Sequence, residues 1–240
     1  MVDENKINLL QKYIDEANDI VFFGGAGVST ESGIPDFRSA NGIFTQNLSA
    51  EEIVSHTFFY YNTKEFYEFY KNKMMFLDAL PNDCHKKLAE LEQKGKNITI
   101  ITQNIDGLHQ LAGSKKVVEL HGSIHRNYCL KCHTFYDAKF VKESAGIPTC
   151  PKCGGLIKPD VVLYEEALDE NNIEWAIRAL SKADLLIVAG TSLKVYPAAN
   201  LIHFYNGTRK VNINLHDNPL DSEYLYIDSK VGEVFKKIKA

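Results

Sequence analysis

Short, unbroken apolar runs recur along the chain, separated by segments of helical periodicity. Ile20-Val21-Phe22-Phe23, Ile98-Thr99-Ile100-Ile101, Val117-Val118-Glu119-Leu120, Leu185 to Ala189 and Val211-Asn212-Ile213-Asn214-Leu215 each read as a strand buried on both faces. Residues 3–17 predict an amphipathic helix, with Asp3 as its cap and Ile7, Leu10, Ile14 and Ala17 at steps of three and four. His85 to Lys94, stopped by Gly95, and Asn171 to Leu180 follow the same period. A last helix carries Val231, Val234, Phe235 and Ile238. Strands alternating with helices predict an α/β fold, a Rossmann-like parallel sheet with helices on both faces.

Two stretches break the rhythm. Residues 40–80 are rich in aromatics, from Phe44 through Phe58, Tyr60, Phe66 and Tyr70, in a pattern that is helical. Residues 125–157 hold four cysteines and little periodicity. Both read as insertions that pack together as a smaller lobe. The large domain is then expected from residues 1–39, 81–124 and 158–240.

Charge narrows the function. Net charge is −4 with Lys and Arg scattered, so no basic face offers itself to nucleic acid. The N-terminus has no apolar signal core and no run is long enough to span a membrane, which predicts a cytoplasmic chain. Cys84 stands outside the two C-x-x-C pairs, and an odd cysteine fits a reducing compartment.

Candidate chemistry gathers where strands end. Gly24-Gly25-Ala26-Gly27-Val28-Ser29 follows the first strand, where glycines allow backbone amides to approach a pyrophosphate; a plain tight turn is the other reading. No G-x-G-x-x-G with a spaced acidic residue is present, which disfavours a hydride-transfer dehydrogenase. Ser32 to Arg38 forms a Pro35-stiffened loop that either presents Asp36, Phe37 and Arg38 to a ligand or is structural. Thr102-Gln103-Asn104-Ile105-Asp106-Gly107-Leu108-His109 offers amide and carboxylate groups suited to a carboxamide and sugar hydroxyls, or helix caps. His121-Gly122 ends the next strand; a lone histidine is commonly structural, but at this sheet edge imidazole is also the natural general base near neutral pH. Gly190-Thr191-Ser192 and Asn214 stand at later strands. Cys129/Cys132 and Cys150/Cys153, with 17 residues between the pairs, have the spacing of two knuckles closing one tetrahedral zinc site. Four thiolates leave no open position, so the ion is structural.

As a set, in this order and spacing, these motifs resemble the sirtuin family, from about residue 15 to the end. The resemblance implies an NAD-dependent protein lysine deacylase that yields nicotinamide and O-acyl-ADP-ribose. It implies that Gly25, Ala26, Gly27, Gly190, Thr191 and Ser192 hold the phosphates and ribose. Asn214 and Leu215 would meet the adenosine end, and Phe37 and Arg38 belong to a mobile cofactor loop. Gln103, Asn104, Ile105 and Asp106 would line the nicotinamide pocket, Asn104 and Asp106 with a catalytic part in twisting the carboxamide. His121 would be the base. Val161, Val162, Leu163 and Tyr164 resemble the segment that pairs with an acyl-lysine peptide.

Two features depart from the family pattern. Many members carry Phe-Gly-Glu where this chain has Tyr164-Glu165-Glu166, and the paired carboxylates predict a preference for basic residues beside the target lysine. Members that prefer succinyl-type acids carry Tyr and Arg three apart in the helical insertion, where this chain aligns Tyr70 and Lys73. Lysine lacks the bidentate fork, so acetyl and longer apolar acyl groups are expected over succinyl. Alternatives are a mono-ADP-ribosyltransferase, or a zinc-ribbon module that binds without catalysis. The expected partners are acyl-lysine proteins or peptides, neither membrane nor nucleic acid, for a monomer.

Overall fold

A computed structural model describes residues 3–36, 42, 50–215, 220 and 222–240. Phe37 and Arg38 lie outside the described residues. Six strands form one parallel sheet: β1 (Asp19–Gly24), β2 (Asn97–Thr102), β3 (Val117–Glu119), β7 (Leu185–Ala189), β8 (Lys210–Asn214) and β9 (Leu225–Asp228), in the order β3-β2-β1-β7-β8-β9. From β1 the chain winds outward through β2 to β3. From β7 it winds the other way, to β8 and β9. The direction reverses between β1 and β7, and the loops leaving their C-terminal ends open the crevice in which ligands of such sheets bind.

Both sheet faces are covered, which explains the unbroken apolar runs. Phe22, Ile100, Ile187 and Ile213 pack on one side with Ile7, Leu10 and Ile14 of α1 (Glu4–Glu16). Val21, Phe23, Leu186 and Val188 pack on the other against Ala176 and Leu180. Asp3 caps α1 by accepting from the Asn5 amide at 2.9 Å, as its sequence predicts. β9 was not legible in the sequence: Leu225 and Tyr226 are only half-buried at the sheet edge.

The second lobe combines the two insertions. Helices α2 (His56–Tyr61), α3 (Thr63–Lys73) and, after α4 (Asp83–Gln93) and α5 (Leu108–Ala112) of the large lobe, α6 (Ala138–Glu143) join an antiparallel sheet. Its strands are β4 (Gly122–Cys129), β5 (Phe135–Tyr136) and β6 (Ile157–Val161), in the order β5-β4-β6. Phe59, Phe66, Tyr67 and Tyr70 share one core with Ile124, Cys129, Val141 and Ile157. The small sheet reaches back to Gly122 and forward to Val161, beyond the boundaries at 124 and 158 that the sequence suggested. The chain returns to the large lobe with α7 (Glu170–Lys182) and ends with α8 (Val231–Lys237) on the α1 face. No described helix is long and apolar enough to cross a membrane.

Candidate active site

The glycines after β1 and β7 serve a close approach of two loops. The Gly25 amide donates to the Ala189 carbonyl at 3.1 Å, and the Gly27 amide to that of Gly190 at 2.8 Å. A Cβ on Gly27 would lie 2.7 Å from Gly190 Cα, and Gly190, at φ +59°, has no room for one either. The sequence suggested amides turned to a phosphate, but two of them are spent on β7. The intervening Ala26 amide has no backbone partner among the described residues.

The loop after β2 brings the next groups to the same edge. Ser29 Oγ donates to Asp106 Oδ2 at 2.6 Å and accepts from Asn104 Nδ2 at 3.0 Å. Asp106 Oδ1 accepts from the Leu108 amide at 2.9 Å, and Thr102 Oγ1 accepts from the Asn104 amide at 3.0 Å. Burial pushes the Asp106 carboxyl up, against the lowering effect of its hydrogen bonds to Ser29 and Leu108. Thr191 Oγ1 donates to Gln103 Oε1 at 3.1 Å, which joins the β7 loop to the β2 loop. Gln103 Nε2 is buried with no partner among the described residues. A buried donor without an acceptor is costly unless a ligand supplies one.

His121 closes this side of the crevice. Its Nδ1 lies 2.9 Å from the Gln103 carbonyl oxygen, which can only accept, so the proton sits on Nδ1 and Nε2 keeps the lone pair. Burial lowers the imidazole pKa, partly offset by the Gln103 carbonyl. The Val162 amide donates to the His121 carbonyl at 3.0 Å, so the predicted peptide-pairing segment is tied to the base.

Asn214 is buried, with Nδ2 donating to the Thr191 carbonyl at 3.1 Å and to Asn212 Oδ1 at 2.7 Å. Ser192 is partly exposed and Leu215 stands exposed after β8. In the segment 161–164, Val161 and Leu163 point inward while Val162 is partly exposed and Tyr164 exposed. Tyr70 is fully buried in the small-lobe core and Lys73 is exposed, so the two do not form a pair at an accessible site. Glu165 is exposed and Glu166 half-buried, and both make hydrogen bonds within the chain. Glu165 accepts from the Thr57 amide at 2.8 Å. Glu166 accepts from the Leu163 amide at 2.9 Å and from Lys158 Nζ at 3.0 Å. The Glu166 charge is matched by Lys158, whereas Glu165 accepts from a neutral amide and keeps its charge at the surface.

The four sulfurs of Cys129, Cys132, Cys150 and Cys153 lie within 4.8 Å of one another, and none is in a disulfide. The Lys131 amide points at Cys129 Sγ at 3.4 Å, as in a knuckle, and His133 and Gly154 take positive φ where the two knuckles turn. Four soft ligands at one point fit a tetrahedral zinc ion.

The sequence did not show how Ser29 joins the carboxylate, or how Thr102 and Thr191 brace the amides. Ser29 ended the glycine motif, but its partner is far along the chain.

Residues 25–197 match the Sir2 family. The chain belongs to the Sir2 family. The NAD-dependent protein deacetylase of Clostridium perfringens is 58% identical to this Sir2-family chain over 241 residues, 98% of this chain and 99% of the relative. That of Listeria monocytogenes serovar 1/2a is 44% identical, covering 97% and 100%. A Sir2 solved with a deacetylated peptide and 3′-O-acetyl ADP-ribose superposes with a TM-score of 0.88 at 40% identity, with 96% of each chain covered. A Sir2 bound to acetylated peptide gives 0.84 at 38% identity, again with 96% of each chain covered.

Proposed function

We propose that this Sir2-family protein is an enzyme that removes acetyl and longer apolar acyl groups from protein lysines at the expense of NAD, giving nicotinamide and O-acyl-ADP-ribose. The observation that carries the reading is the convergence of Ser29, Asn104 and Asp106 beside a histidine whose Nε2 is free to accept a proton. When bound between these loops, NAD would supply an electrophilic ribose carbon with nicotinamide as its leaving group.

The chain's own groups have separable parts. Asn104 and Asp106 hold the carboxamide of nicotinamide, and the unsatisfied Gln103 Nε2 is a further donor in the same pocket. The Ala26 amide and the Gly190–Ser192 loop face the phosphates and ribose, with Asn214 and Leu215 toward the adenosine end. The Val161–Tyr164 segment presents an edge to the substrate peptide. His121 Nε2 takes the proton from a ribose hydroxyl, and the Gln103 carbonyl keeps the ring in the tautomer this requires. Tyr70 is in the core and Lys73 lacks a planar fork, which supports neutral acyl groups. The four thiolates hold one structural zinc. Unpaired thiols accord with a reducing, cytoplasmic setting, and the reading is of a monomer.

The test is an NAD-dependent assay on an acetyl-lysine peptide that follows nicotinamide and free lysine together, with His121→Ala alongside. Equal release of both, abolished in the variant, is expected. Nicotinamide without free lysine would replace the reading with ADP-ribosyl transfer.

A further inference from the structure

β4 carries an irregularity placed between the base and the nicotinamide loop. Gly122 and Ser123 pair with Val161 and Asp160 of β6, and pairing resumes at Asn127 with Pro159. Ile124, His125 and Arg126 therefore have no ladder-pairing partner on β6. Bulges beside active sites re-aim side chains, and this one aims three. The Ile124 amide donates to the Ile105 carbonyl at 3.0 Å. His125 Nε2 lies 2.9 Å from the Asp106 carbonyl oxygen and donates to it. Two consecutive residues thus hold two consecutive carbonyls of the loop that carries Asp106.

The bulge is itself anchored on both lobes. Arg126 Nε donates to Asp160 of β6 at 2.7 Å, and one of its terminal nitrogens donates to Glu119 of β3 at 2.6 Å. The His125 amide is held by Ser123 Oγ at 3.2 Å. The His125 ring covers Gly107, which sits at φ +71°; a Cβ there would meet the ring at 2.8 Å. The peptide between Asp106 and Gly107 is therefore held by the Nε2–Cδ2 edge of the His125 ring, through a hydrogen bond and close packing. On the other side the Asp106 carboxylate meets Ser29.

We propose that His125 is a positioning residue for the Asp106 carboxylate, acting through its hydrogen bond to the Asp106 carbonyl. The proposal rests on the reading of Asp106 as a nicotinamide contact. His125 touches neither cofactor nor substrate; it sets the rotation of the peptide from which the carboxylate hangs. Its loss allows that peptide to rotate, which weakens the grip on nicotinamide more than it weakens the base.

The test compares His125→Gln, which retains an N–H at similar reach, with His125→Met, which retains bulk without a donor. The readouts are the inhibition constant of added nicotinamide, the KM for NAD, kcat and the thermal midpoint, with Asp106→Asn in parallel. In His125→Met the nicotinamide constant and the KM for NAD are expected to rise by roughly two- to ten-fold, the range of one net hydrogen bond. The thermal midpoint should hold and kcat change less, and His125→Gln should restore most of the loss. If Asp106→Asn weakens nicotinamide and His125→Met matches wild type, or if Gln and Met are equally impaired, the proposal is overturned while the pocket assignment stands. If Asp106→Asn itself responds to nicotinamide as wild type does, the pocket assignment fails and takes the proposal with it.

Discussion

Ser29 and Asp106, on loops after neighbouring strands, are joined by a 2.6 Å hydrogen bond, and the same Ser29 hydroxyl receives the Asn104 amide. One hydroxyl thereby orders the carboxylate and the amide of the candidate nicotinamide pocket. Burial raises the Asp106 carboxyl, so ionising it costs folding energy. The sign follows: a carboxyl that binds its proton more tightly when folded makes the fold less stable as pH rises through its titration. Asp106→Asn should therefore unfold no earlier than wild type at pH 7.5 in a thermal melt. Its deacetylation rate should fall on the order of a hundred-fold, the effect of a misplaced reactant.

His121 gives the opposite limb. Its pKa is held below the ordinary 6.5 by burial, so the ring is neutral and basic throughout the neutral range. Activity should be level above pH 7 and fall on the acid side with an inflection below 6.5. The pH profile of kcat/KM checks this. His121→Ala should lose roughly a hundred- to ten-thousand-fold at pH 7.5, the usual contribution of a positioned base.

Much of this was written in the sequence. The strands from β1 to β8 in the large sheet were legible because burial on both faces leaves an apolar run that no helix period explains. β9 escaped because an edge strand alternates only weakly, and β4 escaped because its bulge breaks any period of two. The cysteine spacing announced its own geometry. Tyr70 shows the limit: its side chain is in the core, yet its helix position alone suits a substrate channel equally well. Contacts such as Ser29 with Asp106 arise only from the winding of the sheet, and no local pattern encodes them.

Glu165 offers a stability test. It occupies the left-handed region at φ +74°, and its carboxylate accepts from the Thr57 amide in the first turn of α2, whose N-cap is Ser55. The strain of that conformation and the hydrogen bond to α2 act in opposite directions on stability. Glu165→Gly removes both and should leave the unfolding free energy nearly unchanged. Glu165→Ala removes only the hydrogen bond and keeps the strain, so it should be the less stable of the two variants. Denaturant titration separates the two.

The sulfur cluster predicts one zinc per chain by elemental analysis. A strong chelator should lower the thermal midpoint and abolish deacetylation together. Acidification should release the ion, because the ligands bind as thiolates and compete with protons. Cys150→Ser should weaken retention.

β4 begins at the residue after His121 and ends on Cys129. One strand, on the order of 20 Å long, has the proton acceptor at its near end and a corner of the metal cage at its far end. The strand is also held midway, at Arg126, so opening the far cage removes one of its anchors and loosens the near end. Since a closed four-thiolate cage is either filled or open, the near end is aligned in some molecules and adrift in others. A sample short of zinc is then two populations, one working at full rate and one idle, and its lowered average rate counts heads.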